Sequence, residues 1–362
     1  MKVVAYAYPW DVADPGFHER VAGLGVDEVA VAVSYHSARA ATPWSDSRTS
    51  VLARYAALYR PLREERWSRL KPGVPDWVAS PDSAGEAVAS LDNAAAWIVL
   101  THNSRLGEQF PELTVRNCFG ERYPWALCPS NEEVRDYAVT LTAESLAGLD
   151  VSSVILEACG QLGAVHQCQH EKTDAVWSPA VAQLLSVCCC ESCGLESGMD
   201  SLLRDAVNTL MATGGDNPIG ADVLDAILAT RHRSTDLLRR AVLEMIDVPV
   251  TLHGSVDPWE TGALPGLTPT ASAEADAVVL PCWQPGETSL DKVRTARDRY
   301  PEATFGAYVT AVAANPVPDM KAYVSELARA GAKELHLYHV GLAGPARWGD
   351  VRAAVEAAHQ EG

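Results

Sequence analysis

"EVAVAVSYH" (residues 28–36) is apolar at almost every position, with valine and alanine alternating where a half-buried strand would alternate apolar with polar. A short apolar run of this kind suits a strand covered on both faces, as in a parallel sheet. "DAVVLPCW" (276–283) reads the same way. Six further segments have strand character: 2–8, 96–103, 152–159, 248–254, 303–311 and 334–341. Most gaps between them carry a helical pattern. Residues 130–148 open on Ser130 with Glu133 three positions on, the pattern of a capping box. Residues 287–300, 317–331 and 345–360 are also helical in period, and the last two open near prolines. Eight strands alternating with helices predict a (β/α)8 TIM barrel. A doubly wound sheet is the competitor, but no glycine-rich dinucleotide loop follows the first strand.

Two connections are long: 37–95 after strand two and 160–247 after strand four. Connections of that length usually carry function. With no internal repeat and no low-complexity linker, residues 1–362 read as one domain with two inserted loop regions.

The net charge of −18 is spread along the chain, which argues against nucleic acid, since phosphate binding needs clustered Lys and Arg. No apolar run reaches the roughly 20 residues of a membrane span. The start, "MKVVAYAYPWDV", reads as a strand and not as a signal peptide. A cytoplasmic protein with a small-molecule ligand is expected, and a homo-oligomer is compatible with this. Nine cysteines, an odd number in a reducing compartment, favour metal binding or buried thiols over disulfides.

In this fold the chemistry lies at the C-terminal ends of the strands. Those ends offer His36, His102 and Asn103, Glu157, His253 with Asp257 beyond it, Tyr308, Tyr338 and His339. One such histidine is by default an ordinary hydrogen-bonded residue; four together are harder to dismiss. Glu157, a carboxylate inside "VILEACG", is the sharpest, because burial without purpose is costly and raises its pKa toward that of a general acid. Asp257 is the candidate second carboxylate. Trp10, Trp259 and Trp283, each just past a strand end, could stack on a sugar, with core or rim packing the alternative. The loop "GAVHQCQHEKTD" (163–174) adds His166, His170 and Glu171, either as metal ligands or as a polar rim.

"SVCCCESCG" (186–194) supplies Cys188, Cys190 and Cys193 in a C-x-C-x-x-C spacing. A structural zinc site needs four ligands in a tetrahedron. Cys128, in "WALCPSNEEVRDY", is placed to be the fourth, and Cys189 should point away.

These parts resemble those of bacterial zinc-bearing β-galactosidases and the (β/α)8 glycoside hydrolases around them. The similar features are Cys128-Pro129-Ser130, the helix start Val134–Tyr137, Glu157 ending strand four, and Cys188, Cys190 and Cys193. "THNSRLGEQFPE" and "HQCQHEK" also look like uncharacterised hydrolase-like barrel proteins of actinobacterial type. The resemblance implies a barrel with a sugar at its mouth, a structural zinc on four cysteines and Glu157 as acid/base residue. Two departures stand out. Leu156 precedes Glu157 where those galactosidases have Asn, and strand seven, "FGAYVTAVAANP", has no carboxylate for a nucleophile. A retaining mechanism needs two carboxylates about 5 Å apart, whereas Glu157 with Asp257 would suit inversion at about 6.5–9.5 Å. The expected function is therefore glycosidase-like acid/base hydrolysis without the usual nucleophile. A metal-dependent sugar isomerase, epimerase or lyase, or a non-catalytic sugar-binding barrel, is the alternative.

Overall fold

The computed structural model describes residues 1–165, 172–173, 176–313 and 316–361. Eight parallel strands form its centre: β1 Lys2–Ala7, β2 Glu28–Tyr35, β3 Ala94–Val99, β4 Ser153–Glu157, β5 Val250–His253, β6 Ala277–Pro281, β7 Phe305–Thr310 and β8 Glu334–Tyr338. Each pairs with its successor, and β1 pairs with both β2 and β8, so the sheet closes into the expected (β/α)8 barrel. Closure removes every sheet edge that would otherwise need covering. β1 is buried from Val3 onward and β2 throughout, which is why neither alternates with polar residues.

The surrounding helices bury one stripe each. Met320–Ala330 turns Met320, Tyr323, Val324, Leu327 and Ala330 inward, and Trp348–Gln360 turns Val351, Ala354, Val355 and Ala358 inward. The helix expected from Ser130 begins one residue later. It spans Glu132–Leu146, and Asn131 caps it by accepting the Glu133 N–H at 3.0 Å. Ser130 is not the cap because its hydroxyl lies 3.2 Å from the Cys193 sulfur, while Glu133 is paired with Arg69.

The two long connections build the rim. The first holds a hairpin, Ala38–Ala41 with Ser50–Ala53, and a short strand, Ala57–Leu58, that pairs antiparallel with the end of β2. The second carries the helices Pro179–Leu185, Met199–Thr213 and Ala221–Leu243. Arg239, 1% exposed, fastens the last of these to the barrel through Glu274, Thr268 and Thr270, with Asp236 of its own helix also accepting from its guanidinium. Among the described residues no helix is long and apolar enough to cross a membrane.

Candidate functional site: the barrel mouth and the cysteine cluster

The inward side chains near the strand ends are mostly aromatic. Tyr6 of β1 packs edge-on against Trp97 of β3 at 4.9 Å and lies 5.1 Å from Tyr308 of β7. Above them Tyr8, Tyr35, Tyr338 and His339 close round the same indole. Burial pushes all five tyrosine hydroxyls up, so they act as neutral hydrogen-bonding groups.

Glu157 ends β4 inside this cluster, 6% exposed. Its Oε2 accepts the Trp97 indole N–H at 2.8 Å and lies 3.5 Å from Nδ1 of His253. Burial raises the carboxyl to about 8, against the opposing effect of the Trp97 bond. It is therefore largely protonated at neutral pH. His253, buried and next to His336, falls to about 3, so its contact with Glu157 joins neutral groups and is no ion pair. The residue after Glu157 is strained: Ala158 has φ +53, a left-handed conformation costing an L-residue about 1–2 kcal/mol. It is held there by its N–H on the Ala263 carbonyl at 2.8 Å and by the Thr101 hydroxyl on its own carbonyl at 2.8 Å. Such strain tends to collect at functional sites.

On the β1 side stands Asp11, a residue the sequence reading missed. It is buried, accepts the Tyr8 N–H at 2.9 Å, and lies 3.7 Å from Nδ1 of His339. Burial lifts Asp11 to about 7 and lowers His339 to about 3. His339 stacks on Tyr8 at 4.2 Å, and neither of its ring nitrogens has a hydrogen-bond partner among the described residues. The signal for Asp11 was "YPWDV", a carboxylate among apolar neighbours just past a strand, the same pattern that singled out Glu157.

The other expected residues divide. The His36 and His102 rings meet at a tilt of 32° with centres 4.2 Å apart, and His36 stacks on Tyr35. Tyr308 and Tyr338 face the cluster together at 5.3 Å. Trp283, 43% exposed, lines a cavity of about 640 Å³ with Gln284, Lys292 and Glu260, and its ring lies 6.0 Å from Tyr308. Trp10 is mostly buried and stacks on Tyr8 at 4.5 Å, with its edge lining a cavity of about 280 Å³ beside Asp11, Arg20 and Trp44. Asn103 caps the helix Ser104–Gln109 through the Leu106 N–H, and its amide reaches the Tyr137 hydroxyl at 3.3 Å, so its polar atoms are already engaged. Asp257 is exposed and accepts the Trp259 N–H at 2.9 Å, which fixes it in its own turn. Trp259 lines a small cavity beside Cys188 and Cys193, on the cysteine side of the rim. His166, His170 and Glu171 lie outside the described residues.

The four cysteines come together. Cys128 follows the hairpin Thr114–Arg116 and Arg122–Leu127, and the other three follow the helix Pro179–Leu185. The Cys128 sulfur lies 3.6 Å from Cys193, 3.8 Å from Cys188 and 3.7 Å from Cys190, and Cys190 lies 3.6 Å from Cys193. A tetrahedron with metal–sulfur bonds of about 2.3 Å has edges of about 3.8 Å, so the buried cluster could hold one metal ion. The Arg116 N–H approaches the Cys188 sulfur at 3.4 Å, a donor that would support a thiolate ligand. Cys189 turns away toward the Val187 carbonyl, and burial raises its thiol to about 12.

No protein-family model and no curated protein matches this sequence. Solved structures do match in fold. The catalytic domain of β-amylase from Paenibacillus polymyxa aligns over 100% of this chain and 99% of its own, at 12% identity and a TM-score of 0.57. The glycoside hydrolase domain of PgaB (BpsB) from Bordetella bronchiseptica aligns over 98% and 99%, at 13% identity and a TM-score of 0.55. At such identities the likeness is one of fold.

Proposed function

We propose that the protein is a glycosidase-like hydrolase acting on a sugar or sugar-containing small molecule by general acid/base chemistry, with Glu157 as the proton donor. The observation that carries this reading is a buried carboxyl at the C-terminal end of β4, fixed by the Trp97 N–H and surrounded by aromatic rings, whose burial raises its pKa to about 8. An acid kept neutral at pH 7 can protonate a leaving oxygen. The names of the two structures that share the fold, a β-amylase and a glycoside hydrolase, agree with a carbohydrate ligand. Trp283, exposed at the rim of the cavity beside Tyr308, offers a ring face for a sugar.

Strand β7 has no carboxylate, so no covalent glycosyl intermediate is expected. For the second carboxylate the geometry favours Asp11 over Asp257. Asp11 is buried against the same aromatic cluster, and at about 7 it is poised between acid and base. The cysteine cluster is proposed to hold a structural zinc, since four sulfurs leave no open position for chemistry. The test is hydrolysis of a panel of aryl glycosides by the wild type and Glu157→Gln. The variant should lose about 10²–10⁴ in turnover, less with leaving groups that need little protonation. No hydrolysis of any glycoside, with sugar binding retained, would make this a binding barrel. The neighbouring His36 and His102 imidazoles, 4.2 Å apart, are the feature behind one other reading, a metal-dependent sugar isomerase, epimerase or lyase; activity that requires an added divalent cation would select it.

A further inference from the structure

Beneath Glu157 a line of polar side chains runs through the barrel interior to its opposite end. His253 Nε2 lies 2.8 Å from the Tyr6 hydroxyl, and the same hydroxyl lies 3.0 Å from His336 Nδ1. His336 Nε2 lies 2.9 Å from Oε2 of Glu334 at the start of β8. His253 Nδ1 is buried without a hydrogen-bond partner among the described residues and stands 3.5 Å from Oε2 of Glu157, so five side chains from β4, β5, β1 and β8 lie in one file whose upper link closes only when Glu157 turns its O–H onto that nitrogen. Tyr6, His253 and His336 are at most 2% exposed, while the Glu334 side chain is 13% exposed. The file is sterically built. A Cβ on Gly306 of β7 would stand 3.0 Å from the His336 ring, so a glycine is what leaves room for it.

We infer that Glu334, His336, Tyr6 and His253 form a proton relay that stores and returns the Glu157 proton from behind the barrel mouth. This rests on the reading of Glu157 as the acid/base residue. With Glu157 protonated, its O–H points to His253 Nδ1, and His253 Nε2–H donates to the Tyr6 oxygen. Tyr6 O–H then donates to His336 Nδ1, and His336 Nε2–H donates to the Glu334 carboxylate. One concerted shift moves each proton one place. Glu157 gives its proton to His253 Nδ1, His253 gives its Nε2 proton to Tyr6, and Tyr6 gives its own to His336 Nδ1. No proton is gained or lost: Glu157 becomes a carboxylate and His336 an imidazolium facing Glu334.

The surroundings suit that exchange. Burial opposes ionisation of Glu334, but its bond to His336 and the Lys2 charge hold its carboxyl below the usual range. The anion needed behind His336 is thus standing there. At the base the other charged groups are Lys2 and Glu28, paired with each other at 3.0 Å, with Ser153 also on Glu28. At the mouth the titratable neighbours are Tyr8, Tyr35, Tyr308, Tyr338 and His339, with Asp11 beside His339. These four tyrosines and His339 are neutral at ordinary pH, while Asp11, lifted to about 7 by burial, titrates next to His339 and is separated from the Glu157 band by the Glu157→Gln difference.

The test follows protons and needs no substrate. Histidine ¹⁵N resonances of His253 and His336 are titrated beside the infrared carboxyl band of Glu157, identified by difference from Glu157→Gln. In the wild type, when Glu157 loses its proton to solvent, His253 should carry its proton on Nδ1 to face the carboxylate and the Tyr6 hydroxyl should turn from His336 to His253 Nε2, so the ¹⁵N signals of both imidazoles should change together with the Glu157 band. Tyr6→Phe keeps the ring but removes the link, so His253 should still follow Glu157 while the His336 step is lost. In Glu157→Gln the amide donates to His253 Nδ1 at every pH, and both steps should vanish. A His336 that ignores Glu157 in the wild type, or still follows it in Tyr6→Phe or in Glu157→Gln, overturns the relay. If Tyr6→Phe fails to fold, the wild-type and Glu157→Gln arms decide alone. Because no turnover is measured, failure of the hydrolase reading and failure of the relay are separate results.

Discussion

The cysteine cluster and the barrel mouth sit on one rim and bury ionisable groups in opposite ways. At the cluster, four identical groups converge within 4.8 Å, and no arrangement of shared protons lets all four sulfurs be thiolates side by side. That crowding calls for a cation. At the mouth, acids and imidazoles of different kind meet with a hydroxyl between them, and Glu157, Tyr6, His253 and His336 each share a proton with a neighbour. That mixture calls for no metal and leaves the protons able to move. The difference teaches that a set of like ligands builds rigidity, whereas a set of unlike ones can build acid/base chemistry.

The sharpest way to break this comparison is to remove the cation. If the cluster holds a structural zinc, Cys128→Ser or a strong chelator should cost many kcal/mol, since metal binding supplies about 10–16 kcal/mol in isolated zinc-finger peptides. We expect one zinc per chain by elemental analysis in the wild type, and none in Cys128→Ser. Thermal unfolding should fall sharply or the protein fail to accumulate. Cys189→Ser, whose sulfur lies outside the cluster, should keep its metal and its melting temperature. Wild-type protein without bound metal, and equally stable with chelator, would reduce the cluster to four buried thiols.

A smaller effect sharpens the other half. The Glu157 carboxyl titrates near 4.5 when unfolded and at about 8 when folded. Its contribution to stability is therefore full below about pH 4.5 and is lost as pH rises toward 8. Glu157→Gln keeps an acceptor for Trp97 and a donor for His253 but has no proton to lose. At about 1.36 kcal/mol per pKa unit, the variant should match the wild type near pH 4.5 and be a few kcal/mol more stable near pH 8. Denaturant unfolding across that range measures it; a constant difference at all pH values would mean that Glu157 is ionised and solvated at the mouth. Asp11 acts in the same direction from 3.8 to about 7, while His253 and His339 act oppositely, losing stability from 6.5 down to about 3. Subtracting the variant isolates Glu157 from these.

The two regions were not equally legible in the sequence. The cluster was, because three of its ligands are within six residues and thiols in a tight C-x-C-x-x-C spacing have few other uses. The barrel was legible for a similar reason, since strands buried on both faces leave near-continuous apolar runs. Glu157 stood out as a charge inside such a run. Its partners did not. Trp97, Tyr6 and His336 look like ordinary strand residues, and only closure of β1 against β8 brings Tyr6 between two histidines more than eighty residues apart. Asn103 was ambiguous because a polar residue just past a strand is equally the cap of the next helix, which it is, and Trp10 because an aromatic there can pack the core and still border a cavity.

The smallest expected effect concerns Asp257, and it is informative for that reason. The sequence offered it as the second carboxylate because it follows β5, whose last residue, His253, does reach Glu157. Its backbone turns outward within four residues. Asp257 is exposed, its N–H donates to the Ser255 hydroxyl at 3.2 Å, and its Oδ1 accepts the Trp259 N–H. Asn can accept that same N–H, so Asp257→Asn should keep the turn and change stability by no more than about 0.5 kcal/mol, as for most surface substitutions. Turnover should also stay within about two-fold, because an exposed carboxylate has neither the burial nor the poised pKa of a catalytic base. Asp11→Asn, changing a buried group beside His339, should lower turnover by 10²-fold or so, within the usual range for a general base. Steady-state rates of the two variants on one aryl glycoside compare them directly. If Asp257→Asn abolishes turnover while Asp11→Asn leaves it intact, the second carboxylate comes from the β5 loop and the mouth closes differently around its substrate.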